Sequence, residues 1–457
     1  MKDKTIVLVI ILILFFIVER AIFYDDVWVT RFMEFQVVVS WVCAMYKSYK
    51  KFGLFSLYSL CLIGFFMFSI GGIFHFLVSG DDIRHLERGF GDFTFSHLTI
   101  QKSLWAYSVF ICLSYLSYNA FCKSSTMALK HRLNSNPLYF QIGKILMFTF
   151  LVFQIYKGYL YYMAFSINRV EIFLLGNMAN PVPTWVRFIA YFFDLGYYFI
   201  IASIPNEKNF KKYSLIFFIA LIPDIMLGNR GMFGAFILFY LWYYYSMYGK
   251  MAVKTKTAII GGVVMLLIFQ LMEFMRNGEN MNLTSFSLTS FLVSQGVSFY
   301  ILPLYIDYAN NIQYHLYPFF LYNILGGFSG YTGQSMEVLM NKCGVGHQLM
   351  YAVNPNYYLA GASFGSSSIV EIYDAGIIGY ILFALFFSIM LLFFERKIFT
   401  SRFFCWGSLS WVTGFILSAR GSYFPSLYGF VKLFIFYNLI IIIARKFVLS
   451  KNNRRIR

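Results

Sequence analysis

Charged residues are scarce in this sequence. Asp, Glu, Lys and Arg make up 12% of its 457 residues, about half their share in a typical soluble domain. Hydrophobic residues account for 59%, and the mean hydropathy is +0.65. A soluble fold of this length cannot bury so much apolar surface. The composition therefore excludes a cytosolic enzyme, a nucleic-acid-binding protein and a secreted domain, and it favours a protein whose main solvent is lipid.

Cysteine and paired acidic residues are also sparse. The six cysteines show no paired short spacing, and five of them lie in or beside apolar segments, so neither a disulfide framework nor a zinc site is indicated. The acidic pairs Asp25-Asp26 and Asp81-Asp82 are best interpreted as solvated loop charges. We expect no metal ion or other cofactor. The net charge of +17 needs no nucleic-acid partner, because basic residues crowd the cytoplasmic loops of membrane proteins.

Long apolar runs dominate the rest of the chain. A membrane-spanning helix needs about 20 mostly apolar residues, and twelve segments approach or reach that length. The sequence therefore predicts an all-α polytopic membrane protein with about 12 transmembrane helices. The predicted spans are 5–24, 27–46, 52–78, 103–122, 145–166, 188–204, 214–228, 232–248, 257–275, 375–394, 403–418 and 427–444.

The distribution of Lys and Arg sets the orientation. Most of them fall on the side of the N-terminus, so both termini are predicted to be cytoplasmic. Residues 1–275 then hold nine helices, 276–374 form a long external loop, and 375–457 hold the last three helices and a basic tail. Within the loop, the apolar stretches 291–306 and 314–328 have three open interpretations: amphipathic helices on the membrane surface, re-entrant segments, or one further hairpin of spans.

Three external arginines run against the positive-inside tendency. Arg230 lies in a Gly-Asn-Arg-Gly turn before the eighth helix, Arg420 in a Ser-Ala-Arg-Gly-Ser turn before the twelfth, and Arg276 at the end of the ninth. A guanidinium binds phosphate in a bidentate manner and stays charged at any pH. A helix N-terminus after each turn adds free N–H groups that favour an anion. The alternative is that these arginines bind lipid headgroups or backbone carbonyls.

Two titratable residues of the loop are candidates for acid–base chemistry. Glu371 lies in Gly-Ser-Ser-Ser-Ile-Val-Glu-Ile-Tyr, at the entry to the tenth helix, where it could accept a proton from a sugar hydroxyl or hold an arginine. His347, in Gly-His-Gln, could act as a general base. The alternatives are a structural glutamate and a solvated loop histidine.

These features together resemble the bacterial O-antigen polymerases, the Wzy oligosaccharide repeat-unit polymerases. The resemblance rests on the helix number, the late loop, the Arg-Gly turns and the Gly-Ser-Ser-Ser-x-x-Glu-x-Tyr entry. It implies a GT-C-like glycosyltransferase in the bacterial inner membrane, with a metal-independent active site facing the periplasm. Arg230, Arg420 and Arg276 would bind pyrophosphate, with Glu371 on the acceptor side and His347 as a weaker catalytic candidate.

The resemblance also implies substrates and partners. Donor and acceptor would both be undecaprenyl-pyrophosphate-linked oligosaccharides, and a separate co-polymerase would set chain length. The closest alternative is the related O-antigen ligase, which shares the donor but not the acceptor. A repeat-unit flippase or other transporter is the second alternative, although such proteins usually have two similar halves and short outer loops.

Overall fold

The computed structural model describes residues 26–88, 91–122, 133–167, 182–226, 230–249, 288–331, 333–342 and 344–455. The predicted spans 5–24 and 257–275 lie outside these ranges. Ten long helices or helical runs cover most of the described residues. In chain order they are α1 (Val27–Phe52), α2 (Leu57–Ser79), α3 (His97–Phe121), α4 (Pro137–Ile167), α5 (Thr184–Ala202), α6 (Glu207–Met226), α7 (Arg230–Tyr248), α8 and α9 (Leu288–Gly296, Ile301–Tyr308), α15 (Gly376–Thr400) and α18 (Leu427–Arg455).

Shorter elements connect the long helices. They are the strands β1 (His85–Arg88) and β2 (Gly91–Thr94), and the helices α10 (Tyr322–Leu325), α11 (Met336–Asn341), α12 (Val345–Val353), α13 (Pro355–Leu359), α14 (Ser368–Tyr373), α16 (Arg402–Trp406) and α17 (Ser408–Ile416). Single 3₁₀ turns occupy Val297–Tyr300, Ala309–Asn311, Phe319–Leu321, Gly326–Phe328 and Ser418–Arg420.

Six of the described helices are long and apolar enough to cross a membrane. They are Val27–Phe52, Leu57–Ser79, Pro137–Ala164, Thr184–Ala202, Gly376–Thr400 and Leu427–Lys446. The mostly helical structure agrees with a polytopic membrane protein. The count of twelve spans, the GT-C-like architecture and the three-part division of the chain remain predictions.

Local sequence signals fix where the helices begin. Asp26 precedes α1, and its carboxylate accepts a hydrogen bond from the N–H of Trp28 at 2.9 Å. Ser96 caps α3 in the same way by accepting from the N–H of Thr99 at 3.1 Å. Such caps satisfy backbone donors that have no partner within the helix.

The long loop is joined to one end of the helix bundle. At this end the first helices are bonded to one another: Arg31 of α1 donates to the carbonyl of Gly80 after α2, and Thr30 bonds His97 of α3. The loop is attached there as well, because Thr99 of α3 donates to Asp307 of α9. Asp374, just before α15, accepts from Tyr305 of α9. We call this side of the bundle the loop end.

One short β-hairpin departs from the all-α expectation. β1 and β2 pair antiparallel, with Leu86 opposite Phe93. Leu86 is buried, and the hydroxyl of Tyr300 donates to the carbonyl of Ile83 just before β1. Hydropathy over a span-length window cannot register two four-residue strands, so the sequence pattern missed them.

Helix α2 contains a π-helical turn, Phe66–Ile70. Such turns are rare and often mark functional sites. Directly after it, Gly72 lies against Gly296 of α8, where a Cβ on Gly296 would sit 2.7 Å from the Gly72 Cα. The first apolar stretch of the loop is therefore packed against the middle of α2 rather than extended into solvent.

Small residues also bring α4 and α5 together, which supplies a test of the packing. A Cβ on Gly143 would lie 2.7 Å from the Gly196 carbonyl oxygen and 2.8 Å from the Ile200 nitrogen. We expect Gly143→Ala to destabilise the protein by about 1–3 kcal/mol through overpacking, measured as a lower thermal midpoint in detergent. Gly414→Ala is the matched control, since its Cβ would meet nothing within 4 Å. Equal midpoints for the two variants would contradict this account of the contact.

Candidate functional site

The Arg420 turn lies at the loop end, after α17. Residues Ser418–Arg420 form a 3₁₀ turn, and Arg420 itself is exposed. Its guanidinium carbon lies 6.0 Å from the centroid of the Phe68 ring. Phe68 belongs to the π-helical turn of α2, so a cation–π contact holds the arginine over that turn.

The Arg230 turn reaches the same aromatic ring. Helix α7 begins at Arg230. A Cβ on the next residue, Gly231, would lie 3.3 Å from the Phe68 ring and 3.7 Å from Leu417, which directly precedes the Arg420 turn. The Arg420 turn and the start of α7, which are far apart in sequence, thus meet at Phe68. The side chain of Arg230 and the whole of Arg276 lie outside the described part of the structure.

The backbone differs from expectation after Arg420. A helix was expected to begin directly behind each turn. This holds for α7, but Gly421 is extended and the next helix, α18, begins only at Leu427. The free N–H groups of a helix N-terminus are therefore available beside Arg230 and not beside Arg420.

Glu371 of α14 connects the loop to the Arg420 turn. One carboxylate oxygen accepts from the Ser366 hydroxyl at 2.5 Å, and the other accepts from the backbone N–H of Tyr423 at 2.7 Å. The residue is 1% exposed. Burial raises its pKa to about 7, against the opposing effect of hydrogen bonds from Ser366, Tyr423 and Ser422. Both oxygens are thus engaged in fixing the chain on either side of the site.

His347 lies on the neighbouring segment, in α12. Burial and the nearby charge of Lys342 lower the pKa of its imidazole to about 4, so the ring is neutral at physiological pH. Its Nδ1 lies 3.4 Å from the Tyr358 hydroxyl. The backbone carbonyl of Gly346 accepts from the N–H of Phe364 at 3.1 Å.

The segment around Phe364 links His347 to the arginine turn. A Cβ on Gly365 would lie 3.9 Å from the carbonyl oxygen of Arg420. The structure therefore brings α12, the serine-rich segment before α14 and the Arg420 turn close together. Glu371 and Arg420 lie on segments that are hydrogen-bonded directly to each other. The His347 segment reaches the Arg420 turn through one intervening segment.

Aromatic side chains often stack on sugar rings, but two of those in the long loop are used for packing. Tyr358 is fully buried in a small cluster with Leu339 and Met350. Tyr351 packs edge-on against Tyr358, with ring centroids 5.9 Å apart. Tyr358 is therefore part of the loop's own core and does not present a stacking surface.

The acidic pair Asp81-Asp82 is engaged in loop structure. Arg84 forms an ion pair with Asp82 at 2.7 Å and lowers the pKa of that carboxyl to about 2 through its hydrogen bonds. Within the described ranges, no group of three or more His, Cys, Asp or Glu side chains could hold a metal ion.

Three contributors to the site were missed at the sequence level. Phe68 lies in an ordinary apolar run, and nothing in the spacing marks it. Ser366 belongs to the serine run that carried the family resemblance, and Tyr423 closely follows Arg420, but neither was assigned a role. Their function depends on contacts between segments that are far apart in the sequence. The Tyr423–Glu371 bond, for example, joins residues separated by 52 positions.

A second polar cluster fixes the far end of α14. The carboxylate of Asp374 accepts from His315 at 3.0 Å, from the Tyr305 hydroxyl at 2.6 Å and from the N–H of Phe319 at 2.9 Å. Burial opposes ionisation, but these hydrogen bonds outweigh it and lower the pKa of Asp374. The bond to Asp374 raises the pKa of His315 above its ordinary value of 6.5.

This pair predicts a pH-dependent stability. Because the folded-state pKa of His315 is raised, its contribution is complete below 6.5 and is lost as pH rises through the folded value. The thermal midpoint of His315→Asn should therefore fall below wild type at about pH 5.5 and approach it at about pH 8.5. Tyr305→Phe removes a non-titrating bond to the same carboxylate, so its deficit should not vary between these two pH values. A His315→Asn deficit that does not change with pH would contradict this assignment.

Comparison with known proteins gives one result. A family model described as O-antigen polysaccharide polymerase Wzy matches residues 5–452. No curated protein and no solved structure shows a significant match to the chain. The matched range covers nearly the whole chain and confirms the resemblance seen in the sequence. The chain therefore belongs to the O-antigen polysaccharide polymerase Wzy family.

Proposed function

We propose that this protein polymerises O-antigen repeat units at the periplasmic face of the bacterial inner membrane. It transfers the growing glycan from undecaprenyl pyrophosphate to the non-reducing end of a new lipid-linked repeat unit. Family membership supports the polymerase role. The observation that carries the mechanism is the meeting of the Arg420 turn and the Arg230-Gly231 start of α7 at Phe68.

The reaction requires stabilisation of a leaving group. A hydroxyl of the acceptor sugar attacks the anomeric carbon of the donor, and the bond from that carbon to the pyrophosphate oxygen breaks. The electron pair leaves with undecaprenyl pyrophosphate, whose negative charge rises in the transition state. Guanidinium groups held in advance at that position stabilise the developing charge.

Arg420 is suited to this role by its surroundings. Its side chain is exposed, and its guanidinium lies over Phe68. The Glu371–Tyr423 bond holds the chain three residues after it. Arg230 begins the helix whose second residue, Gly231, packs against the same ring. Arg276, the third predicted pyrophosphate ligand, is retained as a proposal by sequence position alone.

Glu371 supports the site as a positioning residue in this proposal. Its two oxygens are occupied and its side chain is buried, so the geometry favours holding the Arg420 turn over accepting a proton from sugar. His347 is neutral at physiological pH and is the remaining candidate for the general base. Its depressed pKa makes it a weak base, and proton removal from the acceptor would have to run largely in concert with bond formation.

Substitution of the turn arginines tests the pyrophosphate clamp. In a deletion strain, we expect lipid A core capped with a single repeat unit on a surface-glycan gel, because flipping and ligation continue. Complementation with Arg420→Ala or Arg230→Ala should lower the polymerisation rate by about 10²–10³-fold, the effect typical of losing one preorganised donor. Lysine should restore only part of the activity, since a bidentate contact is lost.

Arg187→Ala is the matched control for the clamp. This arginine is also predicted to be external, but it is exposed beside Thr184 at the start of α5 and belongs to neither turn. It should polymerise as wild type does. Full polymerisation by both turn variants at normal protein level would refute the clamp, whereas bare core in the deletion strain would indicate a ligase or flippase instead.

Glu371 variants separate a positioning residue from a catalytic base. The glutamine oxygen in Glu371→Gln can still accept from the Tyr423 N–H, and its amide can donate to Ser366. This variant should therefore retain clear polymerisation. Glu371→Ala leaves the buried Tyr423 N–H and the half-buried Ser366 hydroxyl without this acceptor. The N–H alone costs about 1–3 kcal/mol, so the variant should lose most activity and some thermal stability. The measurement is polymer formed per unit time from purified lipid-linked repeat units.

The Glu371 test can fail independently of the clamp. If Glu371→Gln is as inactive as Glu371→Ala while folding normally, the carboxylate takes part in the chemistry and the positioning role is wrong. The arginine result would be unaffected by that outcome. Ser366→Ala provides a further control, because it removes one hydrogen bond to Glu371 and leaves the Tyr423 contact in place.

A further inference from the structure

The second apolar stretch of the loop contains a short uncharged helical run, Phe319–Phe328. A 3₁₀ turn, helix α10 and a second 3₁₀ turn follow one another without interruption. No Asp, Glu, Lys or Arg occurs between Tyr308 and Met336. The run is too short to span a bilayer, which needs about 20 residues.

One side of this run is anchored to the protein. Phe319 is fully buried, and its N–H donates to Asp374. The Phe320 ring lies 4.4 Å from that of Phe383 in α15, measured between centroids. The Asn323 side chain donates to the carbonyl of Phe424 at 2.9 Å. The run therefore has a fixed position against the ends of α15 and α18.

The other side carries large apolar residues that remain about half exposed in the described structure. Leu325 is 50% exposed and Phe328 is 53% exposed. Two residues that flank the run, Leu316 and Tyr331, are also exposed. In water, this surface would carry a penalty of about 25 cal/mol for each Å² of apolar area.

This surface continues directly onto a membrane-spanning helix. Gly327 packs on Tyr428, and the rings of Phe328 and Tyr428 meet edge-on with centroids 5.7 Å apart. Tyr428 lies in the first turn of α18, within the candidate span Leu427–Lys446. The outward face of that span exposes Val431, Phe434, Ile435 and Leu439.

We propose that Phe319–Phe328, together with the flanking Leu316 and Tyr331, is an interfacial segment inserted into the lipid leaflet at the loop end. Its occupant is the bilayer because the run itself carries no charged residue and joins the exposed apolar side of α18 through Tyr428. The one cation at its edge, Lys342, donates to the carbonyl of Tyr331, where a lysine can reach the headgroups. A short run with one apolar face and no spanning length is suited to lying in the interface plane. Its tyrosines suit the headgroup level, where aromatic residues are enriched. The proposal does not depend on the polymerase reaction.

Spin-label accessibility tests this location in the full-length protein. Single cysteines would be placed in a background without the six native cysteines and reconstituted in vesicles of phosphatidylethanolamine and phosphatidylglycerol. The relaxation of spin labels at Leu325→Cys and Phe328→Cys should be accelerated strongly by oxygen, which dissolves in lipid. It should be accelerated only weakly by the water-soluble nickel chelate NiEDDA. Phe434→Cys on α18 is the lipid reference, and Asn341→Cys, exposed at the end of α11, is the water reference.

Each outcome decides the proposal. An oxygen-to-nickel accessibility ratio severalfold above that of Asn341→Cys, and close to that of Phe434→Cys, supports insertion. A ratio equal to that of Asn341→Cys overturns it in favour of a water-exposed surface. Low accessibility to both reagents overturns it in favour of a covering protein, either a second copy or a partner.

A second measurement uses the unmodified protein and avoids any folding defect of the cysteine variants. Wild type in the same vesicles, doped with a diazirine-bearing phosphatidylcholine, would be photolysed, digested and mapped by mass spectrometry. Lipid adducts on the peptide covering 319–331 but not on that covering 333–342 support the proposal. Adducts on α18 with none on 319–331 overturn it.

Discussion

The hydrogen bond between the Glu371 carboxylate and the Tyr423 backbone N–H joins the two parts of the chain that form the site. Glu371 belongs to the long loop, and Tyr423 follows the Arg420 turn. A buried carboxyl is costly without partners. The bond between Glu371 and Tyr423 is therefore stable only when both segments are correctly positioned against each other. Ser366 adds a second bond on the loop side. The position of Arg420 therefore depends on a correctly folded loop, although the arginine lies outside it in sequence.

A second constraint comes from the close approach of helix backbones. A Cβ on Gly64 of α2 would overlap the carbonyl oxygen of Ile416 at the end of α17. Glycine is required there because any larger residue would push the two helices apart. This approach carries the π-helical turn, and Phe68 with it, to the Arg420 turn. Gly231 at the start of α7 packs against the same ring. The close contact at Gly64 therefore helps to align both arginine turns.

The sequence predicted those features that depend on composition along one segment. Apolar runs located the six described helices that are able to span a membrane, and the Arg-Gly turns and Glu371 were singled out by unusual polarity at their positions. Contacts between distant segments could not be predicted in this way. Phe68 is one of 56 phenylalanines, and only the fold gives it a partner. The delayed start of α18 at Leu427 did have a local signal, because Ser426 follows Pro425 and its hydroxyl accepts from the N–H of Gly429 at 3.0 Å.

The acid–base roles illustrate the same limit. A carboxylate near a membrane boundary can act as a base, an ion-pair partner or an anchor, and sequence alone treats these alike. The structure distinguishes them by the atoms that each oxygen meets. For Glu371, these are a hydroxyl and a backbone N–H, which orient a turn. For His347, burial and Lys342 keep the ring neutral, which retains its capacity to accept a proton but weakens it as a base.

The short helix α14 also relates the site to the membrane. Glu371 bonds the Arg420 turn, while Asp374, immediately after α14, accepts from the N–H of Phe319 at the start of the proposed interfacial segment. Both substrates are lipid-linked, so their reacting atoms arrive at a depth set by the bilayer. Since a misplacement of about 1 Å can reduce a rate by about 10²-fold, a site that acts on such substrates needs a fixed depth of its own. Two buried carboxylates three residues apart, Glu371 within this six-residue helix and Asp374 at its C-cap, provide a rigid connection between the proposed interfacial segment and the arginine proposed to bind the leaving group.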